Sequence, residues 1–158
     1  MPVRPATEVA SWSATTRCVR AQSMRQAEFG FPATLGDGRF FVMADYHDLD
    51  VWHEAHALAI AAHNTAVGIR GGHYVSIRSQ MIRAAISVPT NIVEGCEQQS
   101  TKDFIRFLRY SVASSSELEY HLEFSRDIHV ITVPVFEQHQ KKIQKVRKML
   151  HGLIRSLQ

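Results

Sequence analysis

Between Gln80 and Gly95, in QMIRAAISVPTNIVEG, polar residues recur at helical spacing but form only a thin line. Gln80, Arg83, Ser87, Asn91 and Glu94 are separated by three, four, four and three positions. At about 100° per residue, all five fall within roughly 60° of one line along a helix. Met81, Ile82, Ala84, Ala85, Ile86, Val88, Ile92 and Val93 fill most of the remaining surface. A surface helix has one apolar stripe and a wide polar face. This segment reverses that proportion, so it is expected to be buried on most sides, within a bundle or between subunits.

The flanking sequence supplies partners. A first helix is expected over about 48–67, where Leu49, Trp52, His56, Ala59, Ile60 and His63 follow steps of three and four. Gly68, Gly71 and Gly72 end it. The second helix covers about 75–94, with Gly95 as its stop and Pro89 as an internal kink relieved by Thr90 and Asn91. Ser100 and Asp103 have the spacing of an N-cap, opening a third helix that reaches about Asp127. Phe104, Ser111 and Leu118 form one seven-spaced row on it, and Leu108, Ser115 and Leu122 another. The serines in mid-row leave room for a neighbouring helix. A fourth helix follows Thr132, with Pro134 in its first turn. Phe136, Ile143, Leu150 and Leu157 repeat every seven residues, and Val146 and Leu153 fill a second seam. Short connections between long helices make antiparallel neighbours. The expected fold is all-α, an up-down-up-down four-helix bundle over residues 45–158.

Residues 1–44 read differently. Pro2, Pro5 and Pro32 and the run FPATLGDG interrupt any period, so an irregular or disordered extension is expected. Its Arg, Ser and Thr content faintly resembles a transit peptide, and an upstream extension with Met43 as an alternative start is the plainer reading. No apolar run reaches the roughly 18 residues of a membrane span. Cys18 and Cys96 make no disulfide framework, which favours a reducing cytoplasm.

Charge is unevenly spread. From Val133 to the end, six Lys and Arg stand against the single acid Glu137, a net of +5. Lys141, Lys145, Lys148 and Arg155 share a face away from the apolar seam, flanked by Lys142. Such a face suits nucleic acid, another anionic partner or plain solvent.

With these residues in view, the chain resembles the four-helix bundle proteins encoded by intervening sequences of large-subunit ribosomal RNA genes. It is also similar to the accessory variability protein of diversity-generating retroelements. DLDVW (48–52), QMIRAAISVPTNIVEG (80–95), STKDFIRFLRYSVASSSELEYHLEFSRD (100–127) and MLHGLIRSL (149–157) carry the resemblance, over about 110 residues. It implies a barrel-shaped homopentamer. In the retroelement branch it implies binding to a reverse transcriptase and to RNA or DNA through a basic surface. Relatives often carry basic residues after the Glu-Gly, whereas here the turn is CEQQS (96–100). The basic role therefore falls to helix four and to Lys102, Arg106 and Arg109.

Other chemistries find less in the sequence. Arg83 is expected to reach an acid on another helix, such as Glu117, so that the polar line fixes helix register; a ligand or RNA groove is the competing reading. His53, His56 and a carboxylate have spacing for zinc, but the Glu-x-x-His pairs of a di-iron bundle are missing. Ser114, Ser115 and Ser116 have no elbow glycines, Cys96 has no evident base, and Gly71-Gly72 has no P-loop lysine. A non-enzymatic protein without cofactor or metal is expected. A protein-interaction module is the alternative, and a metal-dependent bundle enzyme the third.

Overall fold

Four helices make up most of residues 45–158, the part of the chain that the computed structural model describes. The irregular extension expected before them, with Cys18, lies outside the described residues. The helices are α1 (Asp50–Gly68), α2 (Val75–Cys96), α3 (Thr101–Asp127) and α4 (Val133–Ser156), and among the described residues there is no strand. Each helix packs on the next, and α4 closes on α1, giving the expected up-down-up-down bundle. None of the described helices is long and apolar enough to cross a membrane.

The intimate pairing is α2 on α3. Ser111 and Ser115 are fully buried between larger side chains, as their mid-row positions require. Ser111 donates from Oγ to the carbonyl of Val88 at 2.8 Å, and the Ser87 and Ser114 hydroxyls are hydrogen-bonded at 2.9 Å. At the top of the pair, Gly95 is buried inside the last turn of α2. An added Cβ there would lie 2.8 Å from Phe104 Cδ2 and 3.0 Å from Phe107 Cβ. Gly95 is the stop that the sequence suggests, but α2 runs on through it to Cys96. Its role is to let α3 come close. Cys96 is buried next to it, 3% exposed.

Pro89 sits inside α2 without ending it. Proline removes one helical N–H and crowds the preceding turn. The carbonyl that loses its donor is that of Ala85, and the next three carbonyls each accept a side-chain donor. Thr90 Oγ1 reaches Ile86 O at 2.9 Å, Asn91 Nδ2 reaches Ser87 O at 2.8 Å, and Ser111 serves Val88.

The other helix ends follow local chemistry. Ser100 Oγ accepts from the Asp103 amide at 3.1 Å and donates to the Asp103 carboxylate at 2.6 Å, so it caps α3 as expected. At the far end, His129 takes φ 60° and donates from its amide to Arg126 O, while Val130 N reaches Ser125 O. This is the Schellman arrangement with histidine where glycine is usual.

The buried face of α1 differs from the expected one. Val51, Ala55, Leu58, Ala59, Ala62 and Ala66 face the core, while His56, Ile60 and His63 are exposed. Small alanines let α1 approach its neighbours, so the larger periodic residues are shifted to the edge. On α4, Phe136, Ile143, Val146 and Leu150 are buried as expected; Leu153 and Leu157 are only half-buried, and Ile154 and His139 join the core.

His139 is the buried polar residue of α4, 4% exposed. Its Nε2 meets Thr65 Oγ1 on α1 at 2.8 Å, and its buried Nδ1 has no partner among the described residues. Burial, and then the nearby charge of Lys142, push its pKa down. Protonation would place a charge and an N–H where no acceptor waits.

Two predictions follow from this packing. Gly95→Ala should lower stability by about 1–3 kcal/mol through overpacking. Gly152→Ala, whose added Cβ meets nothing within 4 Å, should raise it by up to about 1 kcal/mol. Urea midpoints check both, and a Gly95→Ala midpoint at or above wild type contradicts the close contact. For His139, the folded pKa lies below the unfolded value near 6.5, so the unfolded chain takes up the proton first. Stability should therefore be unaffected by this group above that pH and fall as the pH drops through it. His139→Gln should flatten that acid-side slope in urea titrations at stepped pH; an unchanged slope rules His139 out as its source.

Candidate nucleic-acid interface

Lys141, Lys145, Lys148 and Arg155 project from α4 on the side opposite its buried row, and all are exposed, as is Lys142 at their flank. The geometry follows from period alone. Steps of four, three and seven residues keep these side chains within one exposed sector while Ile143, Val146 and Leu150 occupy the opposite one. At 1.5 Å per residue the stripe runs about 21 Å along the helix. Lys145 Nζ lies 2.6 Å from Glu54 Oε1 on α1. Both partners are well exposed, so this pair contributes at most about 1 kcal/mol and can be exchanged for another anion.

Lys102, Arg106 and Arg109 are exposed at the start of α3. Antiparallel packing brings them beside the end of α4, where with Leu157 and Gln158 they line a cavity of about 440 Å³. Asp103 lies in the same lining, and its Oδ1 is 3.1 Å from Arg106 Nη1. Arg155 is not part of that lining. The eight expected basic residues thus form two surfaces, an α4 stripe and a partly neutralised α3 cluster near one end of the bundle.

One basic residue of α4 turns inward. Arg147 Nη1 lies 2.6 Å from Glu119 Oε2, and its Nε donates to Ser115 Oγ at 2.9 Å. Its buried Nη2 has no partner among the described residues. Arg147 therefore ties α4 to α3, and its charge is not available on the stripe. The available signal was its position between Ile143 and Leu150, four before and three after, at the edge of the core row.

The polar line of α2 divides. Ser87 and Asn91 are half-buried, and Asn91 Nδ2 also lies 3.0 Å from Ser87 Oγ. Gln80, Arg83 and Glu94 are exposed. The expected pairing of Arg83 with Glu117 is not formed. Glu117 is on the outside of α3, 54% exposed, with His121 Nε2 at 3.6 Å. The reason is geometric: the edge of α2 turned to α3 is met by Ser111 and Ser114, whereas Glu117 projects away from the bundle.

The histidines that had zinc spacing are spread apart in function. His53 Nε2 is hydrogen-bonded to His47 O at 2.8 Å, and His56 stacks on Trp52 with ring centroids 5.1 Å apart. Among the described residues, no three His, Cys, Asp or Glu side chains converge on a point where a metal could sit.

A feature missed in the sequence is an apolar groove of about 400 Å³ between α1 and α2. Trp52, His56, Ile60 and His63 line it from α1, and Ile86, Pro89, Thr90 and Val93 from α2. It takes two helices to make, so no single period reveals it.

Comparison with known proteins agrees with this architecture. No protein of curated function matches the chain. Among solved structures, it is similar to a protein of unknown function from the S23 ribosomal protein family of Bacteroides thetaiotaomicron. The two are 25% identical with a TM-score of 0.62, over 66% of this chain and 97% of that one. Residues 47–152 match the model of the 23S rRNA-intervening sequence protein family. That match spans all four helices, and the chain belongs to the 23S rRNA-intervening sequence protein family.

Proposed function

We propose that this protein is a non-enzymatic, oligomeric four-helix bundle that binds nucleic acid, or an enzyme acting on nucleic acid, through the basic face of α4. The observation that carries the reading is the outward stripe of Lys141, Lys145, Lys148 and Arg155, with Lys142 beside it. Only Lys145 among these is held in an ion pair within the described residues. A row of ammonium groups without base-reading aromatics favours phosphate contacts, which give salt-sensitive and sequence-tolerant affinity. The family's association with ribosomal RNA intervening sequences supports RNA as the anion. We extend the reading, on the resemblance of the sequence motifs to the accessory variability protein alone, to a homopentamer and to a reverse transcriptase as partner. Several copies in one assembly would strengthen weak individual contacts through avidity. The reading places the protein in the cytoplasm, without cofactor or metal.

A second reading, a protein-interaction module without nucleic-acid binding, is favoured by the open α1–α2 groove.

Filter retention of a structured RNA between about 50 and 200 mM salt separates the two. Wild type should bind with a steep salt slope. Lys141→Gln and Lys148→Gln should each reduce that slope by about one, since each removes roughly one phosphate contact. Lys145→Gln should reduce it less, because Glu54 competes for its charge. Absence of salt-sensitive retention by the wild-type protein removes the nucleic-acid reading.

A further inference from the structure

The cavity between the start of α3 and the end of α4 differs in make-up from the α4 stripe. Lys102, Arg106 and Arg109 follow steps of four and three, so they share one side of α3 over about 10 Å. Leu157 and Gln158 form the facing wall. The stripe is an open row along one helix, whereas this is a concave space of about 440 Å³ between two.

Its charges are not equally engaged. Asp103 is held twice, with Oδ2 accepting from Ser100 Oγ at 2.6 Å and Oδ1 lying 3.1 Å from Arg106 Nη1. Lys102 and Arg109 belong to no ion pair among the described residues. Three side-chain cations thus stand against one acid whose two oxygens are already taken. A singly charged group would balance only half of that excess, and a doubly charged one balances all of it. Ile105 and Leu157, both half-buried, add an apolar part to the lining. That part favours a ligand with a carbon frame over a bare ion.

A phosphate monoester combines these properties. At neutral pH it carries about 1.5 to 2 negative charges and three acceptor oxygens, joined to an organic group. The guanidinium fork of Arg109 can take two of those oxygens, and the Lys102 ammonium a third. An internal phosphodiester carries one charge and is flanked by chain on both sides.

We propose that the α3–α4 cavity binds a phosphate monoester, either the phosphorylated end of an RNA strand or a free nucleotide. For the strand end the proposal rests on the nucleic-acid reading above, since α4 carries its basic row to Arg155, two positions before the cavity wall. Arg109 and Lys102 hold the phosphate, and Ile105 and Leu157 face the sugar.

Two titrations of the full chain at about 150 mM salt test this. Fluorescence anisotropy follows a short oligouridylate, labelled at its far end, with or without a phosphate on its first nucleotide. Calorimetry follows adenosine monophosphate, adenosine and inorganic phosphate. Binding of the phosphorylated strand about tenfold tighter than of its unphosphorylated twin assigns the strand end. Binding of adenosine monophosphate, but not of adenosine, assigns the free nucleotide. Lys102→Gln with Arg109→Gln should abolish either signal, with circular dichroism verifying the helices; if they are lost, Arg109→Gln alone replaces the pair. Lys141→Gln should weaken both strands alike and preserve their ratio. Equal affinity for the two strands together with no binding of adenosine monophosphate overturns the cavity site, while salt-sensitive retention of RNA would still uphold the α4 reading. Nucleotide binding without any such retention overturns the α4 reading and upholds the cavity. A phosphate preference that survives in the double variant, or inorganic phosphate binding as tightly as adenosine monophosphate, overturns the proposal.

Discussion

The distance at which α2 can lie against α3 governs the rest of this bundle. Serines at 87, 111 and 114 and the glycine at 95 keep that interface thin and partly polar. Helices approach closely where side chains are small, and the hydroxyls then find backbone or one another across the gap. The same closeness lets Ser111 donate to the carbonyl of Val88, next to Pro89. With its small polar edge committed to α3, α2 turns Met81, Val88 and Ile92 to the core and leaves Ile86 and Val93 on the side shared with α1. The apolar groove is thus a by-product of how α2 was divided among its neighbours.

Much of this fold was legible in the sequence because helical period is a local signal. Four helices, the Ser100 cap, Pro134 in a first turn and the seven-residue rows of α3 could be read from spacing alone. The choice of face on α1 could not. Period treats Ala and Trp as equally apolar, while packing favours alanine where helices are close and moves Trp52 and Ile60 to the margin. The pairing of Arg83 with Glu117 failed for a related reason: it needed the relative rotation of two helices, which neither helix encodes alone. The lysine stripe of α4 was legible because solvent exposure imposes nothing beyond a position opposite the core. The inward turn of Arg147, which entered only the net charge of the last helix, was not legible because its partner Glu119 lies on another helix.

The exposed surfaces lie on different helices. The lysines occupy the outer side of α4, the groove lies between α1 and α2, and Tyr120 and Phe124 are exposed on α3. The tie between Arg147 and Glu119 joins α4 to α3 and holds that one charge apart from the lysines.

Cys96 has a consequence of its own. Its thiol is enclosed at the end of α2, beside the glycine against which Phe104 packs. A thiol reacts only as thiolate and only when reagent reaches it. Its rate of alkylation, in a chain with Cys18 replaced by serine, is therefore a clock for transient separation of α2 from α3. A single buried sulfur converts the most constrained contact of the bundle into one whose breathing can be timed.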